Sequence, residues 1–321
     1  MKKPLRIIGL VIGLLLLALV GFAGFVNVQN SPPQQGPAVP PVRPSTPKRV
    51  LQGEKIVSVM CVHCHRNAGT STLAGRPMPD LGTDLGNLYS ANITQDPKSG
   101  IGQWTDQQVV TLVRTGAGPD GRLRVAMPHF AYLSDEDAAS IVAFLRSDNP
   151  LVRATAEPSH PQELSPLGKT LLSTVLKPTP LVKHLADAPP ASQPVALGNY
   201  LVVGRYQCYF CHSQDVTTNN EAKPEQSKGF MGGGNKMLDD DLQLRISRNL
   251  TMDPETGLGK WSEAQFSKAV KFGMAPTGIL HGPMPKFSTL TDDEVHALWA
   301  YLKTVPNIKN ATPEDVAVTT K

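Results

Sequence analysis

One set of short strings occurs twice in this chain, and every member returns at the same offset of 157 positions. Asn92-Ile93-Thr94 comes back as Asn249-Leu250-Thr251, Asp96-Pro97 as Asp253-Pro254, and Gly100-Ile101-Gly102 as Gly257-Leu258-Gly259. Trp104 is matched by Trp261, Met127-Pro128 by Met284-Pro285, and Leu145 by Leu302. A register held without a gap over this length means that one fold is built twice. At 321 residues the chain has room for two domains, each able to bury a core.

Each copy reads as helices joined by loops. Gly53 to Met60 and Leu197 to Gln207 are helical lead-ins. Thr105-Asp106-Gln107-Gln108 and Ser262-Glu263-Ala264-Gln265 are capping boxes that open the next helix, and Gly116 and Gly273 suit its far end. A last helix starts at Ser134 and at Thr291, with Ile141, Phe144 and Leu145 or Val295, Leu298 and Leu302 at helical spacing. No alternating run argues for a sheet, so the expected class is all-α.

Ahead of each copy stands a cysteine pair with a trailing histidine: Cys61-Val62-His63-Cys64-His65 and Cys208-Tyr209-Phe210-Cys211-His212. This pattern is the attachment site of a c-type haem, with both thiols bonded to the porphyrin edge and the histidine under the iron. The two motifs use all four cysteines, so no disulfide is available. Zinc is the competing reading of paired thiols. The pairs start 147 positions apart, whereas zinc pairs usually lie about 15–20 residues apart. Two covalently attached haems c are therefore expected. Between motif and Asn249 the second copy carries ten residues more than the first, in the polar, glycine-rich stretch Ser213 to Gly234.

The distal ligand decides what such a haem does, since an open position binds small molecules and a closed one passes electrons. Met127 and Met284 sit at matching places in the loop before the last helix and are the expected distal ligands. A core-filling role is the plain alternative for any methionine; Met78, Met231, Met237 and Met274 have no repeated partner. With the proximal pair, the metal ligands expected are His65, Met127, His212 and Met284. Trp104 and Trp261 either donate an indole hydrogen bond to a haem propionate or fill the core. His63, His129, His160, His184, His281 and His296 lack partners in the repeat. Asn92-Ile93-Thr94 and Asn249-Leu250-Thr251 fit a glycosylation triplet, but their matched positions favour a shared structural role.

The flanks set the expected organisation. Residues 1–29 hold Lys2, Lys3 and Arg6 before an apolar run from Ile7 to Val26, read as a transmembrane anchor in preference to a cleaved signal. That would place the rest on the periplasmic side of the inner membrane, as a single-pass protein. Residues 30–48 are a proline-rich tether, 49–149 the first domain, 150–190 a connector with one helix near Pro166–Val175, 191–308 the second domain and 309–321 a tail. Of the net charge of +4, the leader supplies three; nothing here fits a nucleic-acid partner.

The stretches Cys61–Ser147 and Cys208–Thr304 resemble class I cytochrome c modules, in tandem after an N-terminal transmembrane helix. The string Asn-Ile-Thr, Asp-Pro, Gly-Ile-Gly, Trp and Ala-Met-Pro is similar to the cytochrome c subunits of bacterial alcohol, aldehyde and gluconate dehydrogenases. That resemblance implies His/Met coordination and a relay of single electrons between redox partner proteins, a dehydrogenase and the respiratory chain, with no catalysis of its own. Two modules stand here where the family has three. A diheme cytochrome c peroxidase, needing unlike ligands on its two irons, and the haem c subunit of a terminal oxidase complex are the alternatives.

Overall fold

The helices begin where their caps dictate. The computed structural model describes residues 35–124, 126–182 and 185–312, with scattered positions between 7 and 24. Thr46 accepts from Arg49 N–H and, with Pro47 behind it, starts α1 (Pro47–Met60), which runs into the short α2 (Val62–His65). Strand β1 (Gly86–Asn87) follows. Both expected capping boxes form: Thr105 with Gln108 on α3 (Asp106–Thr115), and later Ser262 with Gln265. Gly116 ends α3 in the left-handed conformation, at φ 78°. Ser134 caps α4 (Asp135–Leu145), whose inner face is buried. The connector adds β2 (Glu163–Leu164) and α5 (Pro166–Thr174).

The second copy repeats the plan with α6 (Pro194–Tyr200), a π turn at Leu201–Arg205, and α7 (Cys208–His212). Strands β3 (Lys236–Leu238) and β4 (Leu244–Ile246) lead to α8 (Glu263–Phe272), the hairpin β5 (Met274–Ala275) with β6 (Gly278–Ile279), and α9 (Asp292–Leu302). In each copy the lead-in helix crosses the last helix at a glycine. A Cβ on Gly53 would lie 1.9 Å from Ser140 O, and one on Gly198 2.0 Å from Ala297 O. Backbones this close explain why α1 packs on α4, and α6 on α9.

Each copy has its own core. Ile56, Val57, Val109, Phe130, Ile141 and Phe144 centre the first; Leu201, Tyr209, Phe266, Leu298 and Leu302 centre the second. The cores meet, because Val59, Met60 and Tyr132 of the first copy pack against the second. At the junction Arg205, 6% exposed, donates to Asp137 at 2.6 Å and to Glu294 at 2.5 Å.

Two expectations are corrected. The chain is not all-α: helix of every kind covers only about 38% of the described residues, and three antiparallel two-stranded sheets are present, β1–β2, β3–β4 and β5–β6. Their strands are two or three residues long, too short for any period in the sequence to announce them. β1–β2 pairs Gly86 with Leu164 and so staples the connector to the first copy. The expected transmembrane anchor is likewise unsupported, and with it the single-pass inner-membrane location: among the described residues no helix is long and apolar enough to cross a membrane. Most of residues 1–29 lies outside the described residues, as do His184 and residues 313–321 of the tail. The described part of the proline-rich stretch lies against the protein, with Val39 buried in the first core and Arg43 paired to Glu136 and Asp187 at 2.7 Å each.

Candidate functional site

The two motifs adopt one local geometry. Cys61 ends α1, Cys64 and His65 lie on α2, and His65 N–H bonds back to Cys61 O at 2.9 Å. A single turn thus sets both thiols and the imidazole along one edge. In the second copy Cys208, Cys211 and His212 all lie on α7.

The imidazoles are oriented identically. His65 Nδ1 lies 2.8 Å from Ala91 O, and His212 Nδ1 lies 2.8 Å from Arg248 O. A carbonyl only accepts, so each Nδ1 carries the proton and each Nε2 keeps its lone pair. Neither Nε2 has a hydrogen-bond partner among the described residues. A metal-ligating histidine has this arrangement, with a backbone carbonyl fixing tautomer and ring orientation. Burial lowers both imidazole pKa values, against the opposing carbonyl bond, and so favours the neutral form that binds iron.

Sequence reasoning missed these carbonyls, since a backbone acceptor has no side-chain signature, yet the signal was beside them. Ala91 and Arg248 directly precede Asn92 and Asn249, the first residues of the repeated triplet. Both asparagines are 2% exposed. Asn92 Oδ1 accepts from Thr94 N–H at 2.9 Å and its hydroxyl at 2.7 Å, while Nδ2 donates to Thr155 O and Glu157 O. Asn249 repeats the turn with Thr251 and donates to Ile308 O. The triplet locks the segment whose preceding carbonyl aims the histidine, and buried side chains of this kind are not glycosylation acceptors.

The thiols fit attachment better than thiolate chemistry. Burial, with the neighbouring thiol, pushes Cys61 and Cys208 up to about 12; burial, with Cys64 across the junction, pushes Cys211 to about 11. Burial raises Cys64 as well. Reactive or zinc-bound cysteines need the opposite environment. Among the described residues no three His, Cys, Asp or Glu side chains converge as a metal-ion site requires.

The remaining site residues gather by copy. Cys61, Trp104 and Met127 lie half-buried around the first core; Cys208, Trp261 and Met284 lie likewise around the second. Met127 N–H closes a turn onto Arg124 O at 3.1 Å. Neither indole N–H of Trp104 or Trp261 meets a protein acceptor among the described residues. His63 stands apart, its Nε2 3.8 Å from Asp80 and 3.9 Å from Asp240.

Comparison with known proteins agrees with this chemistry. The family description for cytochrome C oxidase, cbb3-type, subunit III matches residues 48–145. The alcohol dehydrogenase (quinone) cytochrome c subunit of Gluconacetobacter polyoxogenes is 31% identical over 262 residues, 77% of this chain and 54% of that protein. The gluconate 2-dehydrogenase cytochrome c subunit of Pantoea cypripedii is 30% identical over 259 residues, 76% of this chain and 56% of that protein. This chain therefore spans about half the length of those relatives. A diheme cytochrome c-type protein of Cereibacter sphaeroides is 26% identical over 266 residues, 78% of this chain and 83% of that protein. By these matches the chain is related to c-type cytochromes, and the dehydrogenase proteins it resembles are cytochrome c subunits rather than the catalytic chains.

Proposed function

We propose that this chain holds two haems c and passes electrons one at a time between a dehydrogenase partner and an acceptor of the respiratory chain. Residues 49–149 and 191–308 are the two haem modules, and 150–190 is the connector between them. Cys61 and Cys64 attach one haem and Cys208 and Cys211 the other. His65 with Met127, and His212 with Met284, are the axial pairs, and Trp104 and Trp261 donate to propionates. The carrying observation is the matched pair of 2.8 Å bonds from Nδ1 to Ala91 O and Arg248 O, which leaves an outward lone pair on each Nε2. The haem supplies reversible one-electron chemistry; the protein supplies attachment, a neutral imidazole, and a soft thioether that raises the potential. Equal ligands in both copies support the carrier over a peroxidase, which needs one open site.

Quantifying haem per chain and recording ferric spectra tests this reading. Two haems per chain, both low-spin, are expected, with the weak long-wavelength band of thioether-ligated iron halved in Met127→Ala and in Met284→Ala. A high-spin haem that emerges on half-reduction, together with peroxide turnover, refutes it. Copurifying chains from the native source would separate a dehydrogenase partner from a terminal oxidase.

A further inference from the structure

Two features remain unabsorbed by this reading: the ten extra residues of the second copy, and His129 beside Met127. The structure brings them together. Glu221, in the extra segment, accepts a hydrogen bond from the Thr179 hydroxyl and lies 3.2 Å from His129 Nδ1. His129 Nδ1 is also 2.7 Å from Thr179 Oγ1. One residue on, Ala222 O accepts from Tyr132 Oη–H at 2.6 Å. His129 and Thr179 are buried, at 8% and 6% exposure.

On its other side the His129 ring lies against Gly116, where an added Cβ would come 2.1 Å from Nε2. Nε2 is 3.4 Å from Arg124 O, the carbonyl that also accepts Met127 N–H. A chain of contacts thus runs from Glu221 through His129 to the turn that carries Met127. The extra segment is itself anchored to the second motif, since Asn219 Nδ2 donates to Phe210 O at 2.8 Å. Gln207, next to Cys208, adds a bond from its Nε2 to His129 O at 2.6 Å.

The repeat shows that this is a device of one copy. At matched register His129 is replaced by Lys286 and Tyr132 by Thr289. Lys286 packs its aliphatic stem near Gly273, and among the described residues it forms no ion pair.

We propose that Glu221 is a positioning residue for the first haem: the second copy's extra segment clamps the Met127 loop, so that distal ligation in one module depends on docking of the other. This rests on Met127 being the distal ligand. A carboxylate that accepts from both Thr179 and His129 in a partly buried site contributes more than a neutral acceptor would, and its loss frees the turn.

Imidazole competing for the iron reads this directly, in ferric full-length holoprotein carrying Met284→Ala, so that only the first site contributes the thioether band. Glu221→Ala is expected to lose the band at roughly tenfold lower imidazole, equivalent to about 1.4 kcal/mol. Thr179→Val, a milder change, shifts it in the same direction, and Glu221→Gln, which keeps a neutral acceptor for Thr179, falls between Glu221→Ala and the parent. With Met127→Ala in place instead, so that only the second site reports, Glu221→Ala leaves the titration unchanged. A parent-like titration of the first site, or an equal weakening of both sites, overturns the proposal. If Met127→Ala combined with Met284→Ala leaves the band intact, the ligand assignment itself fails and the clamp fails with it.

Discussion

Replacing Arg205 by leucine should be the most costly single change outside the two motifs. Arg205 leaves the π turn that distinguishes the second lead-in helix and reaches between the copies. It donates from Nε to Asp137 Oδ2 at 2.6 Å, from Nη2 to Oδ1 at 3.3 Å, and from Nη1 to Glu294 Oε1 at 2.5 Å. Asp137 and Glu294 occupy the same position of the repeat, so one guanidinium joins equivalent carboxylates of both copies. Asp137 is 2% exposed. Without Arg205 its carboxylate keeps only the Tyr200 hydroxyl and the Gln52 amide, both uncharged. Removing one partner of a buried pair costs about 3–5 kcal/mol, because the other charge is stranded. At about 2–4 °C per kcal/mol for a domain of this size, the melting temperature should fall by roughly 6–20 °C. Thermal unfolding of the holoprotein by circular dichroism reads this. Arg205→Leu with Asp137→Leu should recover much of the loss, since the desolvation penalty leaves with the charge. A fall worth less than about 1 kcal/mol in Arg205→Leu, or no recovery in the double variant, refutes the reasoning.

Gly53→Ala and Gly198→Ala should each destabilise by about 1–3 kcal/mol or more, because the new methyl meets Ser140 O or Ala297 O near 2 Å. The gain of roughly 1 kcal/mol in helix propensity does not offset this, and urea midpoints give the sign. Acid should unfold the parent more readily than its Asp80→Asn variant loses stability over the same range. Burial pushes the Asp80 carboxyl up, but His63 and the Arg76 guanidinium at 3.0 Å outweigh it and hold it at about 2. The group is depressed in the fold, so its stabilisation is complete above the unfolded value near 3.9 and disappears as pH falls through about 2, worth about 2 kcal/mol. Denaturant midpoints between those limits should be flat for Asp80→Asn relative to the parent. With two haems held as proposed, Asn92→Ala should loosen the Ala91 carbonyl and shift the first haem's potential while sparing the second, as spectroelectrochemistry would resolve.

What could be read in the sequence was whatever had to occur twice. The capping boxes at Thr105 and Ser262, the left-handed ends at Gly116 and Gly273, and the grouping of cysteines, tryptophans and methionines by copy all follow from local chemistry under a fixed register. The two-residue strands were invisible because pairing between Gly86 and Leu164 is a tertiary event. The Ala91 and Arg248 acceptors were invisible because every residue has a carbonyl; only the asparagine that follows each marks the place. The proline-rich stretch reads as a tether by composition, yet Val39 and Arg43 find partners on the first copy that composition does not encode.

The unmatched residues carry the other half of the design. Arg205, the extra segment with Glu221, and the pair His129 and Tyr132 have no equivalents under the repeat, and all of them lie where the copies meet. A module that only had to bind its own haem would need none of these contacts. Two independent modules on a connector would show solvated faces there, not a guanidinium buried between matched carboxylates. Met60 adjoins Cys61 and packs on the core that holds Cys208, so the junction includes the helix that leads into the first cysteine motif. The repeated residues therefore build the proposed haem sites, and the unrepeated ones fix how one copy is held against the other. For a relay, that separation is the quantity a loose connector would leave undefined.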